Sequence, residues 1–136
     1  MKEATRQHLR RARRLLGAVE ARVEVELPEV IAHTAYYAMY HALLAILFKK
    51  GYESKNHECT INTVEFLIEN KEINFSIEDL SFIRTTEQMT TKDAKSLREE
   101  FQYGTQTEVN KVLLTEILKK SKAIVEKIEV ILSEMK

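Results

Sequence analysis

Tryptophan is absent from this 136-residue chain, cysteine and proline occur once each, and glycine three times. Each scarcity excludes something. A lone Cys59 leaves no internal disulfide, so the fold must rest on its apolar core. With so little Gly and Pro, turns are few and helices long. A charge of one sign is missing as well, because 21 Lys and Arg balance 21 Asp and Glu. No overall charge therefore points to a nucleic acid or a membrane surface. No signal peptide and no uninterrupted apolar run of membrane-spanning length is visible, and the chain is expected to be cytoplasmic, without a membrane partner. Its length suits one domain over residues 1–136 and a single core.

The charge balance hides an asymmetry. Residues 1–22 hold seven Lys and Arg against two Glu, whereas residues 57–110 hold five against eleven Asp and Glu. Contacts between subunits can use such polarity, and solvated helix faces also produce it; the solvated reading is the commoner one.

What is present in quantity is apolar helix. Ala35 to Phe48 reads AYYAMYHALLAILF, apolar or aromatic everywhere except His41. A surface helix needs one apolar stripe, so a segment apolar all round is buried on several sides. Fourteen residues fall short of the roughly 20 that span a bilayer. Ile46 is its one β-branched residue, which argues against a strand.

The chain then divides into helices. From Lys2 to about Arg22, Ala4, Leu9, Ala12, Leu15, Leu16 and Val19 recur at helical spacing. Pro28 opens a second helix where its missing N–H costs nothing, and Lys49, Lys50 and Gly51 close it. Asn56 is placed to cap a short helix over 57–69, with Ile61, Val64, Leu67 and Ile68 inward. Ser76 and Asp79 resemble a capping box for a fourth helix with Ile77, Leu80, Phe82 and Ile83 as its apolar face. Three threonines and a Lys-Asp pair weaken the pattern between Thr85 and Ala94, where a kink or break is expected before 97–101 resumes and Gly104 ends it. Thr105 or Thr107 can cap the last helix, whose apolar face runs from Val109 to Leu132. Four long helices on short links make an all-α antiparallel bundle.

Two groups of residues carry chemistry. Arg6, Arg10, Arg13 and Arg14, with Arg11 beside them, form a basic ridge on the first helix that can track phosphates; a solvated face is the plainer reading, since no aromatic residue is interleaved. On the second helix His33, Tyr37 and His41 stand at i, i+4 and i+8, beside Tyr36 and Tyr40. Such a cluster can stack on a base or hold a metal through imidazole, or it can be core whose polar tips find internal partners. No carboxylate stands at HExxH spacing and His57-x-Cys59 is too short a signal for zinc, so no metal is expected.

AYYAMYHALLAILFKKGYESKNH resembles the central motif of HEPN-domain proteins, an aromatic and small-residue helix that ends at Gly and is followed by a Ser/His loop. LREEFQYG, residues 97–104, resembles the later element of that family, a Leu-Arg followed a few residues on by an Asp-Tyr or His-containing turn. Amphipathic flanking helices extend the likeness over nearly the whole chain. The resemblance implies an up-and-down four-helix bundle with one short additional helix, commonly a homodimer. It also implies a minimal nucleotidyltransferase as partner, in a toxin–antitoxin or substrate-binding relationship, and no cofactor.

Catalytic members of that family cleave RNA without metal through Arg-x4–6-His, the His acting as base and the Arg binding the scissile phosphate. No Arg of this chain has a His at that spacing, since His8, His33, His41 and His57 all lie upstream of Arg98. Tyr103 stands where the His is expected, and a phenol titrating near 10 is a poor base at neutral pH. The expectation is a non-catalytic or altered HEPN protein that binds nucleotide or RNA through Arg98, Tyr103, Tyr37 and His41. The alternative is an RNase in which Arg98 works with a base from elsewhere, such as His41 or His57.

Overall fold

Residues 3–22, 28–54, 56–91 and 107–135 are described by the computed structural model, and they form helices without a strand. The helices are α1 (Glu3–Glu20), α2 (Pro28–Lys50), α3 (His57–Glu69), α4 (Ile77–Thr91) and α5 (Thr107–Glu134).

Local chemistry fixes their ends. α2 begins at Pro28 as its spacing predicts. It closes with Gly51 at φ 85°, whose N–H reaches Phe48 O at 3.2 Å while Tyr52 N–H reaches Leu47 O at 2.9 Å, the paired bonds of a left-handed helix stop. Asn56 Oδ1 accepts from Cys59 N–H at 2.8 Å and starts α3. Ser76 Oγ accepts from Asp79 N–H at 3.0 Å and starts α4, but the Asp79 carboxylate turns away to accept from Lys127 Nζ at 2.7 Å.

Within the stretch Thr85–Ala94, where a kink or break is expected, α4 is helical as far as Thr91, and residues 92–94 lie outside the described residues. Thr85 and Thr86 stay helical by donating their hydroxyls to Ser81 O and Phe82 O at 3.0 and 2.9 Å, one turn back. The predicted segment 97–101 and its end at Gly104 lie outside the described residues.

Cross-helix pairs set the topology. Arg13 makes a two-pronged bond to Glu129, and Glu20 lies 3.6 Å from Lys122, so α1 and α5 run antiparallel. Asp79 meets Lys127, and Lys120 lies 4.7 Å over the Phe82 ring, so α4 and α5 are antiparallel too. His8 lies against His41 and Phe48 while Val19 packs in one cluster with Ile31 and Ala35, so α1 and α2 are antiparallel. The result is an up-and-down bundle of α1, α2, α4 and α5, with α3 as the short additional helix. α2 touches each of the other four.

That position explains its composition. Ile31, Ala38, Met39, Ala42, Leu43, Ala45 and Ile46 have no exposed surface at all. The stretch Val30–Lys50, 21 residues at mean hydropathy 1.4, is longer than the fourteen-residue count suggests and could cross a bilayer by length and composition. Yet 67% of its most apolar window is buried among the other helices, which is the pattern of a core helix. Burying each Leu, Ile or Met is worth about 1.5–3 kcal/mol. The ion pairs are largely exposed and worth about 0–1 kcal/mol each. The core therefore holds the bundle, and the ion pairs set its register.

Leu80 and Ile83 of α4 are buried, whereas Ile77 is 44% exposed because it is the first residue of its helix and precedes the packed turn. On α5 the buried face runs from Leu114 to Leu132 and includes Ser121, whose hydroxyl is satisfied by Ile117 O at 2.7 Å.

Candidate functional site

Three tyrosines of α2 face the start of α3. Because Asn56 pins that start, His57 is the first helical residue and its imidazole comes back over α2. Its ring centre lies 4.2 Å from Tyr40, 5.4 Å from Tyr36 and 5.7 Å from Tyr37. The Tyr36 hydroxyl and His57 Nδ1 are 2.7 Å apart, and the Tyr40 hydroxyl accepts from Thr60 Oγ1 at 3.3 Å. Tyr36 and Tyr40 are thus buried aromatics with satisfied tips. Tyr37 is half-buried, with His33 at its edge 4.6 Å away.

The band continues onto α1. His8 stacks on His41 with ring centres 5.2 Å apart and on Phe48 at 5.1 Å. The Nδ1 atoms of His8 and His41 are 2.9 Å apart. One must donate and the other accept, so the pair fixes opposite tautomers. Sequence reasoning singled out His33, Tyr37 and His41 but missed His8 and the central place of His57. A signal for His8 was present: it and His41 stand equally far from the middle of the α1–α2 connection, which an antiparallel hairpin brings together.

Burial holds the His41 imidazole neutral, and the positive surroundings of His8, Arg11 and His57 add to it, lowering its pKa to about 4. His8 is lowered by burial and then by Arg11, and His33 by burial and then by His57. A base whose conjugate acid titrates near 4 accepts a proton weakly at neutral pH. Among the described residues no group of three or more His, Cys, Asp or Glu is placed to hold a metal ion.

Beside the His8–His41 pair, Gln7, Arg10, Arg11 and Arg14 complete the wall of an open cleft of about 460 Å³. A larger cleft of about 540 Å³ lies at the far end of α3 and α5, lined by Ile73, Phe75, Ile131 and Met135 together with Lys71, Glu72 and Glu134. Of the residues expected to bind ligand, Tyr37 and His41 share the ring band, with centres 6.4 Å apart. Arg98 and Tyr103 lie outside the described residues.

The family description that matches this sequence is "HEPN domain", over residues 5–131. A UPF0332 protein of Archaeoglobus fulgidus is 36% identical over 119 residues, covering 88% of this chain and 87% of that protein.

Proposed function

The chain belongs to the HEPN-domain family, and from that premise we propose that it is a non-catalytic member that binds nucleotide or RNA. In this reading it acts as a homodimer and as the partner of a minimal nucleotidyltransferase in a toxin–antitoxin-type module. The observation that carries the non-catalytic half is the engagement of the imidazoles: His57 bonds to Tyr36, and His8 and His41 to each other. None stands at RNase spacing from an Arg.

The binding half draws on the partly exposed edges of Tyr37 and His41, which offer π surface to a base. Arg98 and Tyr103 complete the site, the guanidinium taking a phosphate and the phenol a base. In the dimer two copies of that segment converge. Since α2 is enclosed by its own chain, the dimer interface uses other faces of the bundle. The second reading, an RNase pairing Arg98 with His41 or His57, meets a neutral His41 already hydrogen-bonded to His8.

Fluorescence anisotropy with labelled single-stranded RNA and labelled ADP at low salt, beside an RNA cleavage assay, tests the reading on wild type and Arg98→Ala. Binding that weakens about tenfold or more on substitution, without cleavage, is expected. Metal-free cleavage lost in Arg98→Ala would establish the RNase instead. Light scattering on the same sample is expected to give a dimer, and a clean 15.8 kDa species would remove that part.

A further inference from the structure

α1 carries five arginines within nine residues, and the structure sorts them by partner. Arg6 pairs with Glu3, and Arg13 with Glu129 on α5. Arg10, Arg11 and Arg14 make no ion pair with any described residue, and these three line the cleft beside His8 and His41. Among the described residues, the guanidiniums that face the cleft are left without a carboxylate while Arg6 and Arg13 outside it have one, which leaves the cleft short of negative charge.

We propose that this cleft, walled by Arg10, Arg11, Arg14, Gln7 and the His8–His41 pair, binds the phosphates of a nucleoside di- or triphosphate. It deepens the nucleotide-binding reading above and rests on that reading for the nucleoside part of the ligand. Together with His41 of α2 this arginine face borders an open cleft of about 460 Å³, within the usual range of small-ligand sites. Arg10 and Arg14 are one turn apart, about 6 Å along the helix axis, with Arg11 beside them. That span meets one compact group of phosphate oxygens and falls short of a strand of successive phosphates. Arg offers paired N–H donors that match phosphate oxygens. The imidazole pair, with one N–H used between the two rings, leaves one Nε2–H to donate without bringing the full charge that would repel Arg11.

The cleft opens beside the ring band. His41 belongs to both, and Tyr37 lies next along α2. A base can therefore lie over Tyr37 while its phosphates occupy the arginine wall. The acidic surplus of residues 57–110 is spent elsewhere in part, with Glu65 on Arg84 and Asp79 on Lys127.

The test follows the imidazole resonances of the four histidines by NMR during titration with ADP and with inorganic pyrophosphate, and measures affinity by calorimetry. Both probes are expected to shift His8 and His41; pyrophosphate leaves His33 unmoved, whereas ADP, with its base over Tyr37, shifts His33 as well. Arg11→Gln, and Arg10→Gln with Arg14→Gln, are expected to weaken ADP by about tenfold or more, whereas Arg6→Gln stays within about twofold. These arginines are exposed, and an unchanged melting temperature shows that the fold is kept. ADP that binds while the His8 and His41 rings stay unmoved overturns the cleft and leaves the nucleotide reading standing. Pyrophosphate at the cleft, with ADP no tighter, keeps the phosphate site and overturns the nucleoside part. Equal weakening by Arg6→Gln would reduce the effect to net charge and overturn the proposal. So would a single-stranded RNA that displaces ADP with the steep salt dependence of many phosphate contacts.

Discussion

His41 shows how one side chain inherits its chemistry from three helices. Arg11 and His8 face it from α1, Tyr37 and Tyr40 from its own helix, and His57 from α3. Its folded pKa of about 4 lies below the ordinary 6.5. Between those values the unfolded chain binds the extra proton, so stability rises with pH across that window. It is fully present above about 6.5 and is lost as pH falls through the folded value; His8 and His33, also lowered, push the same way. Thermal melts from pH 7.5 to 4.5 should therefore show a falling melting temperature. His41→Ala should cost about 1–3 kcal/mol at neutral pH, from lost stacking and an orphaned His8, and should flatten the acid slope. A slope unchanged by the substitution would assign the loss to other groups.

At the scale of the element, most ends were legible because they depend on neighbours in sequence. Asn56, Ser76, Pro28 and Gly51 each act within one turn of themselves, and each does so in the structure. Lys71 is the instructive exception. It sits at φ 57° after α3, with its own N–H on Ile68 O at 3.0 Å and Glu72 N–H on Leu67 O at 2.9 Å. This is the same left-handed stop as at Gly51, built on a residue that pays a steric penalty for it. No lysine announces such a role, since the conformation is imposed by where Ile73 and Phe75 must be buried. Lys71→Gly should raise stability by about 0.5–1 kcal/mol, read as a higher midpoint in urea at unchanged slope. A lower midpoint would mean that the lysine side chain contributes more than its backbone strain costs.

Across the whole molecule, the class of fold was legible and its side-chain register was not. The fully apolar Ala35–Phe48 already requires helices on every side, and Gly scarcity limits the turns. Which side chains meet is another matter. His8 on His41, Tyr36 on His57 and Arg13 on Glu129 each depend on how helices slide and rotate against one another, and Arg13 and Glu129 are 116 residues apart. Periodicity assigns a residue to a face but does not say what lies opposite. Thr5, wholly buried and with no hydrogen-bond partner for its hydroxyl among the described residues, interrupts the apolar pattern of α1 for the same reason.

The enclosure of α2 has a consequence for how the chain is made. α2 leaves the ribosome well before α5, the helix that covers a large share of it. Until α5 emerges, the nascent chain holds out a segment apolar enough to enter a bilayer, shielded among the described helices by α1, α3 and α4. Closure waits for contacts of the longest separation in the chain, which form slowly. A chain stopped after residue 106 should be sticky: it should bind a hydrophobic dye strongly and copurify with holding chaperones, while the full chain does neither.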